Sequence, residues 1–137
     1  MDQSRAREHL LASRVAHLAT VGPDGRPHAV PICFALERDT VYFAVDQKPK
    51  RTTNLRRLRN ISANPGVAMV VDHYEDGDWT RLWWVRVEGT ARIVESPEES
   101  EHAIELLAGR YPQYAASRPQ GPVVAIQVDR VTGWSAT

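Results

Sequence analysis

Basic side chains are concentrated in one segment of this 137-residue chain. Six of the twelve residues from Lys48 to Arg59 are Lys or Arg, and they include the only two lysines. No acidic residue lies between Asp46 and Asp72, although the whole chain has a formal net charge of zero. Guanidinium and ammonium groups concentrated in this way can bind phosphate or carboxylate groups. The segment is therefore a candidate anion site.

A solvated surface helix is the other interpretation of this segment, and two features favour anion binding. The segment has no acid for the i,i+4 ion pairs that stabilise surface helices. Lys48, Lys50 and Arg51 also lie between a predicted strand and a predicted helix, where the free amides of a helix N-terminus attract anions. These side chains can converge on one phosphate.

Nucleic acid is another anion that a basic helix can bind. The neutral chain disfavours it, and no aromatic side chain interrupts the basic segment to stack on bases. We therefore expect a small-molecule ligand and no nucleic-acid partner.

Sequence motifs for several other chemistries are missing. No G-x-G-x-x-G or P-loop motif is present, and the five histidines lack metal-ligand spacing, so we expect no metal site. Cys33 lies between Ile32 and Phe34 in a predicted strand, which is typical of a small core residue. No catalytic side chain can be assigned. An enzyme with this sequence would depend on a bound cofactor.

The apolar pattern predicts a mainly β, α+β fold in one domain covering residues 1–137. Six strands joined by turn residues favour a closed or split antiparallel barrel flanked by short helices. Pro27 and Pro31 lack amide donors, so their strand should lie at a sheet edge or contain a bulge. Strands are predicted at 15–21, 27–36, 41–45, 67–72, 79–94 and 123–128, with 131–134 as an extension or a short further strand, and helices at 3–12, 52–63 and 97–108, followed by a loop over 110–121.

The predicted helix over 52–63 must position the basic side chains. Leu55, Leu58 and Ile61 follow helical spacing and would form its apolar face. The remaining polar positions should then lie off that face and be exposed; they are Arg56, Arg57, Arg59 and Asn60.

Two adjacent tryptophans, Trp83 and Trp84, lie in one predicted strand. Neighbouring strand residues face opposite sides of a sheet. One ring therefore fits the barrel core, whereas the other needs a partner subunit or a flat ligand as cover.

Nothing in the sequence indicates export or membrane insertion. No apolar run reaches 18 residues, the first residues lack the apolar core of a signal peptide, and a single cysteine fits a reducing compartment. We expect a cytoplasmic protein with no membrane association.

Several segments resemble the pyridoxamine 5′-phosphate oxidase-like split-barrel proteins. Residues 18–31 (LATVGPDGRPHAVP) resemble their first hairpin, residues 57–67 (RLRNISANPGV) their helix-to-strand step, and residues 85–92 (VRVEGTAR) the strand that follows. The run Asp46-x-Lys-Pro-Lys and residues 82–86 (LWWVR) most resemble the actinobacterial branch that uses the deazaflavin coenzyme F420.

This resemblance implies a homodimeric, six-stranded antiparallel split β-barrel, of the type that binds FMN, with a cofactor groove at the subunit interface. Arg57 matches a basic residue three positions before the family's asparagine, here Asn60, and would hold the cofactor phosphate. Lys48, Lys50 and Arg51 match the family's basic loop less closely. Backbone along Thr20 and along Pro31, Ile32 and Cys33 would lie against the cofactor ring system.

The activity implied by the resemblance is hydride transfer between F420H2 and a small, electron-poor organic substrate. An FMN-dependent oxidoreductase and a non-enzymatic flavin-, deazaflavin- or haem-binding protein are the alternatives. Tyr74, Tyr42 or solvent could supply a proton. The C-terminal motifs of true pyridoxamine phosphate oxidases are missing, so vitamin B6 oxidation is not expected.

Overall fold

The structure, a computed structural model, describes residues 1–45 and 52–137, excluding the side chains of 52–55. The predicted site residues Lys48, Lys50 and Arg51 lie outside the described residues. The helices are α1 (Gln3–Ala12), α2 (Thr52–Ala63), α3 (Pro97–Arg110) and α4 (Pro112–Ala116), with a 3₁₀ turn at Trp79–Arg81. The strands are β1 (Ala16–Val21), β2 (Pro27–Ile32), β3 (Ala35–Glu37), β4 (Thr40–Ala44), β5 (Gly66–His73), β6 (Trp83–Ile93) and β7 (Val123–Ser135).

The seven strands form one antiparallel sheet in the order β2-β1-β5-β6-β7-β4-β3. The mainly β, α+β prediction is confirmed, whereas the count of six strands is wrong by one. The predicted strand over 27–36 divides at Cys33–Phe34 into β2 and β3. Within the described residues, no helix has both the length and the apolar character needed to cross a membrane.

The division of that strand explains why the sheet curls. β2 and β3 are the two outermost strands, yet only two residues separate them. A flat sheet of seven strands would hold its edges about 29 Å apart. The chain from Ile32 to Ala35 spans about 11 Å at most. The sheet must therefore bend until its edges approach, which gives a half-barrel with a seam between β2 and β3.

Proline placement agrees with this topology. β2 is hydrogen-bonded to β1 and lies at the sheet edge, as predicted from its two prolines. Pro27 and Pro31 are both exposed, and an edge strand is where the missing amide donor of a proline is tolerated.

The inner face of the curled sheet and one side of α1 enclose the main apolar core. Phe34, Phe43 and Leu18 are fully buried in it, and α1 contributes Ala6 and Leu10. Apolar side chains alternate along β1, where Ala16, Leu18 and Thr20 face inward.

A second apolar cluster lies on the other face of the sheet, beneath α3. Ala103 and Leu107 of α3 pack there against Tyr42 and Ala125 of the sheet. Tyr111, which follows α3, accepts a hydrogen bond from the Phe34 amide at 3.0 Å and lies 2.9 Å from the Phe34 carbonyl oxygen. Helix α3 is thereby joined to the seam.

Two further predictions differ from the structure in detail. Residues 79–81 form a 3₁₀ turn before β6, and residues 112–116 form α4 within the predicted loop. Of the two alternatives for 131–134, the extension is confirmed, because residues 123–135 form one strand with an irregularity opposite Glu88 and Gly89. A Cβ at Gly89 would lie 2.4 Å from the Gln127 carbonyl oxygen, so only glycine fits at this close approach.

Glu99 connects α3 to two strands. Its carboxylate accepts hydrogen bonds from Arg92 of β6 at 2.9 and 2.7 Å, and from the Tyr42 hydroxyl of β4 at 2.8 Å. The Arg92 and Tyr42 hydrogen bonds lower the pKa of Glu99 to about 2. Burial and the Glu99 carboxylate raise the pKa of Tyr42 to about 12.

Replacing Glu99 should give a pH-dependent loss of stability. Because folding lowers the pKa of this carboxyl from about 4.5 to about 2, its contribution is complete above pH 4.5 and disappears as pH falls toward 2. At pH 7, Glu99→Gln should lower the free energy of unfolding by about 1 kcal/mol, since the site is partly solvated.

Urea unfolding of wild type and variant at several pH values measures this effect. The neighbouring Glu98→Gln is the matched control, because Glu98 is exposed in the first turn of α3. A Glu99→Gln deficit that stayed constant from pH 7 to pH 3 would contradict the prediction.

Candidate cofactor site

A buried polar pair joins α2 to the barrel. The Asn60 side-chain amide donates to the Thr20 hydroxyl at 3.1 Å. Asn60 is 2% exposed and Thr20 1%, and they are the buried polar residues of the described chain. A buried amide is costly without a partner, so this hydrogen bond fixes the rotation of α2 against β1.

The burial of Asn60 corrects the sequence prediction that placed it off the apolar face. Asn60 and Ile61 are both buried, and Arg57 shares their side of the helix because it precedes them by three and four positions. Arg57 is accordingly half-buried rather than exposed, as had been predicted. Arg56 and Arg59 are exposed, as predicted.

The β1–β2 turn holds the same end of α2. Asn64 donates from its side-chain amide to the carbonyl oxygens of Val21 at 3.1 Å and Gly22 at 2.9 Å. A Cβ at Gly22 would lie 3.1 Å from the side-chain Oδ1 of Asn60 and 2.8 Å from Oδ1 of Asp24. The turn closes with Gly25 at φ 79°, a conformation that favours glycine.

Arg57 is the described basic residue that is best placed to bind an anion from a fixed position. Burial lowers the pKa of its guanidinium, and Tyr114 partly opposes that shift. A guanidinium stays protonated at neutral pH even so. The structure thus holds a partly desolvated positive charge on α2, on a residue about one helical turn before Asn60. An anion binds more strongly to such a charge than to one in water.

The predicted ring-contacting residues do not present their side chains to one surface. Ile32 is buried in the barrel core, and Pro31 is exposed on the opposite side of β2. Cys33 packs against the cluster beneath α3. Burial raises the pKa of its thiol and Arg110 partly opposes this, so Cys33 is a poor nucleophile. The role assigned to their backbone stays a prediction.

The two tyrosines considered as proton donors lie in different surroundings. Tyr42 is 6% exposed beneath α3, where its hydroxyl donates to Glu99. Tyr74 is 61% exposed after β5, and its hydroxyl donates to Asp76 at 2.8 Å. The position of Tyr42, and its pKa of about 12, disfavour it as an acid.

Trp83 and Trp84 face opposite sides of β6, as predicted. Trp83 packs on the barrel core and stacks on His9 of α1, with ring centroids 3.8 Å apart. Trp84 pairs with Trp134 of β7 on the outer face, and the Arg86 guanidinium lies 5.4 Å from its ring.

The outer face of the sheet carries a row of small apolar residues that sequence reasoning missed. Ala19 of β1 pairs with Ala29 of β2 on one side and with Ala68 of β5 on the other. Ala19 and Ala29 are exposed. The period-2 pattern of a strand could have indicated this row. The even positions of β1 are buried, so its odd positions, including His17 and Val21, lie on the opposite, exposed face.

The curled antiparallel sheet and its flanking helices define a half-barrel fold. The profile of the pyridoxamine 5′-phosphate oxidase family matches residues 3–135. The chain belongs to this family, which confirms the resemblance seen in its sequence.

Individual relatives differ in what they do. The chain is 32% identical over 86 residues to a 5a,11a-dehydrotetracycline/5a,11a-dehydrooxytetracycline reductase of Streptomyces rimosus. That match covers 63% of this chain and 59% of the reductase, so the chain matches well under two thirds of its relative.

Solved structures share the fold at lower sequence identity. A conserved hypothetical protein of Mycobacterium tuberculosis superposes with a TM-score of 0.80 at 24% identity, covering 99% of this chain and 86% of that one. An FAD-binding protein of Mesorhizobium loti gives a TM-score of 0.74 at 21% identity, covering 97% and 94%. At these identities, the likeness is one of fold.

Removing the Thr20 hydroxyl should destabilise the chain. Thr20→Val keeps the volume but leaves the buried Asn60 amide without this acceptor, so the free energy of unfolding should fall by about 1–3 kcal/mol. Thr20→Ser is the control, because it keeps the hydroxyl and loses one methyl group worth about 0.8 kcal/mol. Urea unfolding compares the two. A Thr20→Val protein as stable as wild type would show that the bond contributes little.

Proposed function

We propose that this protein is an oxidoreductase that uses coenzyme F420, and that it transfers a hydride between the reduced deazaflavin and a small, electron-poor organic substrate. The observation that carries the proposal is the half-buried Arg57, on a helix that the Asn60–Thr20 hydrogen bond fixes against the barrel. The reductase activity named for the Streptomyces rimosus relative agrees with it.

The residues of this chain suit an anionic cofactor. Arg57 would hold a phosphate, with Lys48, Lys50 and Arg51 as further cations that lie outside the described residues. F420 carries a phosphate and a tail of carboxylates, and an acid-free basic segment repels neither. Bound there, reduced F420 would supply the hydride, while the protein orients it and excludes water.

A flavin is the second candidate cofactor. The FAD-binding protein of Mesorhizobium loti has the same fold, and a flavin nucleotide also offers phosphate to Arg57. Titration of the purified protein with F420 and with FMN, followed by fluorescence and by the shift in melting temperature, separates the two. Failure of both to bind would refute the proposed function.

Homodimerisation through the outer face of the sheet is part of this proposal. The row Ala29, Ala19 and Ala68 gives a flat surface that a second sheet can approach closely. Trp134, on the same face of β7, is 45% exposed and would gain cover there. A groove between the subunits would then hold the cofactor and the substrate.

Removing the charge of Arg57 should weaken cofactor binding. Arg57→Gln should raise the Kd for F420 about tenfold or more, because a charge-assisted bond to phosphate is lost. Arg59→Gln is the control on the same helix, since Arg59 is exposed. It should change the Kd less than twofold, by the small effect of exposed charges.

Fluorescence titration measures both affinities, and urea unfolding checks that each variant is folded, because Arg57 is partly buried. Equal Kd values for the folded Arg57→Gln protein and wild type would mean that the basic helix does not bind the cofactor.

A charge in the alanine row should separate the subunits. Ala19→Arg places a guanidinium at the centre of the row, and desolvating it in an interface is costly. Size-exclusion chromatography with light scattering should give the mass of a dimer for wild type and of a monomer for Ala19→Arg. Gln127→Arg, at an exposed position of β7 away from the row, should stay dimeric. A monomeric wild type would refute this interface.

A further inference from the structure

A cavity of about 380 Å³ lies at the end of the barrel opposite α2. Its walls come from α1, the 3₁₀ turn and the ends of β5, β6 and β7 that face them. Strand β5 begins at Gly66, just after α2, and reaches the cavity at His73. Eight strand residues span about 24 Å, so the cavity is well separated from the Arg57 site within one subunit.

One wall of the cavity is made of parallel rings. The His9 ring stacks on Trp83 at 3.8 Å with an interplanar angle of 22°. The His73 ring lies 6.2 Å from Trp83 at an angle of 18°. Because Trp83 also packs on the barrel core, the wall is held in place before any ligand arrives. Flat, preformed apolar walls of this kind suit planar ligands.

The other walls carry positive charge. Arg5 and Arg81 both line the cavity, whereas no acidic residue of the described ranges lines it. Arg81 pairs with Glu75 at 3.0 Å, and Glu75 also contacts the His73 ring at 2.8 Å. Arg5 forms no ion pair with an acid in the described ranges. Of these two cations, Arg81 is therefore paired and Arg5 is the one that a ligand can pair.

His9 contributes a polar imidazole ring to the aromatic wall. Its buried Nε2 atom has no hydrogen-bond partner among residues 1–45 and 52–137. Burial and the nearby Arg5 lower the pKa of this imidazole, and Glu8 partly opposes that shift. The Arg5 cation beside a flat aromatic wall is a feature of a site that a ligand completes.

We propose that this cavity binds a planar monoanion, an aromatic carboxylate, with its ring against the Trp83 wall and its carboxylate at Arg5. Within one subunit the cavity is separated from Arg57 by the length of β5, and the proposal does not depend on the identity of the cofactor. Thr80 and Ser135 also line the cavity, and their hydroxyl groups donate to Asp78 and to the Thr137 carbonyl oxygen.

Calorimetric titration of the full chain with 1-naphthoate tests the proposal, with 1-naphthamide as the neutral match. Naphthoate should bind one molecule per chain and at least about tenfold more tightly than the amide, as expected for one charge-assisted contact. Arg5→Ala should remove this preference and should fold normally, because a basic residue in the first turn opposes the helix dipole. No saturable binding at millimolar naphthoate, or equal binding of acid and amide, would overturn the proposal.

Variants at the two sites show where naphthoate binds. Arg5→Ala should weaken the binding of naphthoate and leave the affinity for F420 unchanged. Arg57→Gln should leave the affinity for naphthoate unchanged. Arg26→Ala, at an exposed site in the β1–β2 turn, should change neither of the two affinities. If Arg57→Gln weakened naphthoate while Arg5→Ala did not, the probe would occupy the cofactor site and the second site would be refuted.

Discussion

The fold depends on how one short link joins the two edge strands. Phe34 leaves the end of β2, buries its ring in the barrel core and turns the chain into β3. Its amide donates to the Tyr111 hydroxyl at 3.0 Å, and that hydroxyl lies 2.8 Å from the Arg14 carbonyl oxygen. The Tyr111 hydroxyl thus takes the place of the hydrogen bonds that are missing between β2 and β3 at the seam. The sheet can stay open there because the buried Phe34 amide still has a partner.

At the candidate site, a hydrogen bond between two buried side chains fixes a helix against the barrel. Asn60 gives α2 a single rotation against β1, and that rotation sets the position of Arg57. Loops can carry cations at lower structural cost, but their side chains keep more freedom that binding must remove. A cation on a fixed helix turn loses less freedom when an anion binds, which supports the proposed role of Arg57.

Much of the fold followed from local pattern, because turns and alternating strands are encoded by neighbouring residues. The sequence did not predict the seam, because residues 29–36 form a nearly continuous apolar run. Nothing in that run indicates where the chain passes from one edge of the sheet to the other. Asn60 was misplaced for a related reason. The burial of Asn60 depends on Thr20, forty positions away, whereas a prediction from helical periodicity treats any asparagine as a surface residue. The stack of His9 on Trp83 likewise joins residues that only the folded chain brings together.

Strand order also constrains when the molecule can form during synthesis. β7 pairs with β6 on one side and with β4 on the other, so it alone joins β2-β1-β5-β6 to β4-β3 in the described sheet. Every earlier strand leaves the ribosome before this bridge exists. Until then, the edges of β6 and β4 are unpaired in addition to those of β2 and β3, and unpaired edges are surfaces that chaperones recognise. β7 is thus the strand that turns a four-stranded part and a two-stranded part into a single cooperative unit.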